Sequence, residues 1–131
     1  MYLREALRRC QDLEQRAATL YEARAAAEGD GDSSAFLQQR AQTETRHARV
    51  LAELLRLQEQ AEDDGPFVID LRGQITRLRE ALDEAFATQK CPEGVRPPPH
   101  YSTDFVLQCC ESLFERIVRI AELSVEKTTL R

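Results

Sequence analysis

Residues along this chain repeat at alternating intervals of four and three, and three breaks divide the repeat into four segments. Leu3, Leu7, Cys10, Glu14, Ala17 and Tyr21 mark the first segment; Leu37, Ala41, Glu44, Ala48, Leu51 and Leu55 mark the second. Leu71, Ile75, Leu78, Leu82 and Ala85, with Phe86 beside them, mark the third. Val106, Cys109 or Cys110, Leu113, Ile117 and Ile120 mark the fourth. Intervals of four and three return to one face of a helix, whereas a half-buried strand needs strict alternation. The pattern therefore predicts four helices, each with a single seam to bury.

The breaks carry turn chemistry. Gly29-Asp30-Gly31-Asp32 is a turn, after which Ser33 or Ser34 can cap the next helix. Asp63-Asp64-Gly65-Pro66 is the second break. The third runs from Cys91-Pro92-Glu93-Gly94 through Pro97-Pro98-Pro99, with Ser102 or Thr103 placed as an N-cap. Segments of roughly 25 residues joined by short connections predict an all-α, antiparallel, up-down-up-down four-helix bundle. At 131 residues the chain is expected to form one domain over 1–131, long enough to bury a core. Aromatic residues are 6% and Trp is absent, which disfavours a sandwich or barrel.

Charge excludes some functions. The formal net charge is −5, and the arginines are interspersed among glutamates. Without a basic face, a nucleic-acid partner is not expected. No run approaches about 18 apolar residues, so no membrane span is expected, and Met1–Glu5 lacks a signal-peptide core. The four cysteines are spaced neither as a CxxC pair nor as a zinc ligand set. A cytoplasmic location with reduced thiols is the resulting expectation.

Two positions do not belong in apolar seams. Glu14 and Glu44 lie at the centre of their helix faces, where an unpartnered carboxylate costs several kcal/mol. The fold must pair them, protonate them or give them a cation. His47 follows Glu44 by one turn, so Glu44-Thr45-Arg46-His47 can present an oxygen and an imidazole nitrogen to one ion. Glutamate with histidine suits iron, manganese or zinc better than calcium or magnesium. The alternative is an ion-pair network in which Arg40 neutralises Glu14. Cys10, Cys109 and Cys110 are expected to pack as small hydrophobes. No nucleophile elbow, phosphate loop or His-Glu-x-x-His pattern supports a hydrolase.

Leu13-Glu14, then Ala17 through Ala23 with Tyr21, then Glu44-Thr45-Arg46-His47-Ala48 and Leu51, resemble the ferritin-like superfamily, nearest its rubrerythrin-like branch. The resemblance covers roughly residues 1–58, the span of one helix pair. It implies a di-iron or di-manganese carboxylate site with oxidase or peroxide-linked chemistry. Glu14 and Glu44 would then be carboxylate ligands and His47 the nitrogen ligand.

The second half departs from that pattern. Glu80, Asp83 and Glu84 face away from the third seam, and Glu111, Glu115 and Glu122 lie about opposite the fourth. A rotated fourth helix would bring Glu111 or Glu115 inward, with Glu111 as the further ligand. The other histidine, His100, falls in the proline-rich connection. Half a site can be completed by a second copy, which makes a homodimer the implied partner. A bundle that has lost the metal and acts as an interaction scaffold is the alternative.

Overall fold

In the computed structural model the described residues are 1–29, 31–89 and 103–129, with the side chains of 88, 89, 103, 104 and 125–129 excepted. The connection holding Cys91 and His100, the cap candidate Ser102 and the side chain of Thr103 lie outside them. The described residues form four helices and no strand: α1 (Leu3–Glu28), α2 (Asp32–Glu59), α3 (Arg72–Gln89) and α4 (Thr103–Thr129). They make an all-α four-helix bundle. No helix among the described residues is long and apolar enough to cross a membrane.

The seams lie where their spacing puts them. Leu3, Leu7, Cys10, Glu14, Ala17 and Tyr21 are all fully buried. α1 also buries Ala6, Leu13, Ala18 and Leu20, because it packs against all three other helices. α2 has a narrower buried face, with Ala41, Glu44, Ala48 and Leu51 inside and Leu37 and Leu55 only half buried. It does not pack against α3 among the described residues. On α4 the buried line is Val106, Cys110, Leu113, Ile117 and Ala121. Cys109 and Ile120 sit at its edge, a rotation that spacing alone left open. Each fully buried leucine contributes about 2 kcal/mol, and α1 and α3 supply most of them.

α1 and α2 touch at both ends in opposite order. Ser34 Oγ donates to Ala25 O at 3.0 Å, while Arg8 meets Glu59 at 2.9 Å. Ser34 therefore does not cap α2. The helix already starts at Asp32, and Ser34 lies buried in the first turn with its hydroxyl directed at the end of α1. Gly29 and Gly31 take φ of 76° and 135°, which lets the chain reverse within a few residues.

The connection from α2 to α3 passes beneath the start of α1. Leu3 N donates to Pro66 O and Val68 N to Met1 O, and Tyr2 bridges Phe67. Arg4 supplies what a helix end lacks. Its guanidinium donates to the carbonyls of Gln58, Ala61 and Asp63 and pairs with Asp64. Gly65 closes this turn at φ 80°, where a Cβ would lie 2.7 Å from Gln58 Nε2 and 3.2 Å from Leu3 Cβ.

Gly65→Ala is expected to cost about 1–3 kcal/mol, from strain at positive φ and displacement of Gln58. Gly73→Ala, in α3 with no atom within 4 Å of the added Cβ, is expected to be neutral or slightly stabilising. Urea unfolding of both variants checks this; equal effects would contradict the packing described for Gly65.

Candidate metal centre

Glu14 projects from the middle of α1 and Glu44 from the middle of α2, and neither carboxylate is exposed to solvent. Alanines at 17, 41 and 48 surround them on the facing seams. Small side chains there let the two helices approach closely, so the carboxylates meet inside the bundle. His47 Nδ1 lies 3.2 Å from Glu44 Oε2 and 3.7 Å from Glu14 Oε2. Its ring stacks on Phe114 of α4 with centroids 3.8 Å apart and planes 7° from parallel. The stack fixes the ring plane and keeps one nitrogen turned toward both acids.

The ligand atoms of Glu14, Glu44 and His47 all lie within 4.8 Å of one another. Two atoms bound to one transition-metal ion are at most about 4.2 Å apart, so only a small contraction would let all three reach the same ion. The sequence brought these residues onto helix faces; the structure brings them into one group.

Glu111 is not in that group. Its carboxylate is half exposed and meets Arg40 Nη2 at 2.6 Å. The same Arg40 nitrogen is 3.4 Å from Glu44 Oε1. Arg40 therefore pairs with Glu44 and Glu111 rather than with Glu14, as its position one turn before Glu44 allows. Glu80, Asp83, Glu115 and Glu122 are exposed, in keeping with their places opposite the seams. The part played by Phe114 was not visible in the sequence, where it reads as one more apolar residue of α4.

The charges are arranged to lower the cost of burial. Burial, reinforced by the neighbouring Glu44 and only partly offset by His47, pushes Glu14 up to about 9. Glu44 feels the same upward push, but hydrogen bonds with His47 and Glu14 and the charges of His47 and Arg40 outweigh it and hold it below the usual carboxylate range. Burial disfavours the imidazolium of His47, yet the two carboxyl groups raise it to about 9. Near neutral pH the group is thus a carboxylic acid, a carboxylate and an imidazolium. As an anion, Glu14 would leave both oxygens without a hydrogen bond; as an acid it can donate to Glu44.

Tyr21 and the thiols complete the surroundings. The Tyr21 hydroxyl is buried without a hydrogen-bond partner, and burial raises it far above the ordinary phenol range. Cys10 and Cys110 are buried and Cys109 is half buried; burial foremost raises all three thiols, so they are neutral side chains of the core.

A pH dependence follows. Glu14 keeps its proton from 4.5 up to about 9 only when folded, and its contribution is lost as pH rises through that window. His47 acts with the same sign between 6.5 and about 9. Glu44 has the opposite sign, losing stability as pH falls below its ordinary 4.5. The melting temperature of metal-free protein is expected to fall steadily from about pH 6 to pH 9. Glu14→Gln, which cannot ionise, should flatten that fall. Thermal melts in chelator across this range check both, and a flat wild-type profile would contradict the assignment.

No family model, curated protein or solved structure matches this chain, so the functional reading rests on the site itself.

Proposed function

We propose that this chain is a ferritin-like bundle that binds a redox-active transition metal, iron or manganese, through Glu14, Glu44 and His47. The observation that carries this reading is the Glu14 carboxyl, completely buried and reached by no hydrogen-bond donor among the described residues, beside a second buried carboxylate and an imidazole. A cation would satisfy what the protein leaves open there. Two carboxylates and one imidazole are a donor set for iron, manganese or zinc, and a poor cage for calcium.

Contact order along the helices supports the up-down-up-down arrangement. α1 and α2 meet in opposite order, whereas α1 meets the connection leading into α3 at its start (Leu3 with Pro66) and α3 itself further along (Arg16 with Asp83), the same order. Arg40 with Glu111 and His47 with Phe114 do so for α2 and α4.

In this reading each residue has a distinct task. Glu14 and Glu44 supply negative charge once Glu14 gives up its proton, and His47 supplies a nitrogen held in plane by Phe114. Apolar walls from α1 and α4 keep water low around them. A bound iron or manganese would supply one-electron redox chemistry toward oxygen or peroxide. Complete burial of both carboxylates within one chain favours a mononuclear site with water ligands over a dinuclear site shared by a dimer.

A second reading, a scaffold without metal, is favoured by one observation: His47 and Arg40 already neutralise Glu44. The two readings separate in calorimetric titration of chelator-treated protein with manganese, cobalt and anaerobic ferrous ion. The metal reading expects about one ion per chain, loss of at least about a hundredfold in affinity for Glu44→Ala, and no change for the exposed Glu80→Ala. No binding by the wild-type protein, with Glu14→Leu more stable than wild type, would establish the scaffold instead.

A further inference from the structure

Arg40 divides one guanidinium between a buried carboxylate and a surface one. Nη2 is 3.4 Å from Glu44 Oε1, which is completely buried, and 2.6 Å from Glu111 Oε1, which is half exposed. The Arg40 side chain itself is only 19% exposed, and its Nε is buried without a hydrogen-bond partner. A guanidinium cannot shed its proton, so it can release Glu44 only by moving. The contact to Glu44 is the longer of the two, and the contact to Glu111 already points the way out.

We propose that Arg40 is a tethered competitor for the cation at the Glu14–Glu44–His47 site, and that Glu111 is the anchor that draws it away. This rests on the metal-binding reading. Without metal, Arg40 shares in neutralising Glu44. A divalent cation takes over that neutralisation and repels the guanidinium a few ångströms away. Arg40 then relies wholly on Glu111, at the solvent edge of α4. Glu111 thereby sets the affinity of the site without being a ligand, and α4 senses whether the site is filled. Arg40 and Glu111 are positioning residues, acting through Glu44.

The signs follow from competition. Removing Arg40 frees Glu44, so Arg40→Gln is expected to bind manganese about tenfold more tightly. Removing Glu111 leaves Arg40 pressed on Glu44, so Glu111→Gln is expected to bind about threefold more weakly. The deciding protein is the double variant. With no arginine to hold, Glu111 has no effect, and Arg40→Gln/Glu111→Gln should match Arg40→Gln within about twofold.

Manganese titrations of the four full-length proteins at about 0.5 M salt, where long-range charge effects are screened, test this. A cooperative thermal melt after chelation confirms that each variant is folded; Glu111→Gln, at the surface, keeps the test open if Arg40→Gln is not. Arg40→Gln binding no tighter than wild type would overturn the proposal. So would an equal loss from Glu111→Gln in both backgrounds, which would make Glu111 a ligand. Binding by none of the four, with all folded, would overturn the metal reading itself and this inference with it.

Discussion

A carboxyl group held out of water must be neutralised, and two of them meet at the centre of this bundle. Glu14 and Glu44 lie in seams whose other members are apolar, on the two helices that pack most extensively against each other. Their proximity means that both cannot be ionised without help. A proton on Glu14, the imidazolium of His47 and the guanidinium of Arg40 supply that help in the metal-free protein. The positions of Arg40, His47, Phe114 and Glu111 follow from this requirement.

The surrounding fold carries the energetic burden. Leucines of α1 and α3 and the inner line of α4 supply the burial that offsets a polar centre. α1 packs against all three other helices, and its start is fastened by Arg4 and the Tyr2–Phe67 bridge to the connection between α2 and α3. The acid pair therefore sits midway along the best-anchored helix pair. A core leucine at either position would be cheaper than a buried acid, so stability alone does not account for the pair.

Much of this was legible in the residues. Spacings of four and three marked the seams because burial demands a single face per helix, and glycine and proline marked the ends because they cannot continue one. Glu14 and Glu44 stood out because carboxylates are out of place on such faces. Less legible was anything that depends on how two helices are rotated or shifted against each other. A stripe tells which face is buried, not which neighbour covers it. Hence Ser34 binds across to Ala25 instead of capping, Arg40 meets Glu44 and Glu111 instead of Glu14, and Ile120 yields its inner place to Ala121. The stack of His47 on Phe114 joins residues far apart in sequence and had no local signal.

If the gap among Glu14, Glu44 and His47 is a cation site and not merely a tolerated cluster of acids, it holds a metal ion in place. A crystal of the manganese-soaked protein, measured for anomalous scattering, tests it most directly. A single strong peak is expected about 2.0–2.3 Å from one oxygen of each glutamate and from His47 Nδ1. An interior without a peak, with His47 and Arg40 still paired to Glu44 while manganese scatters from exposed carboxylates, would contradict it.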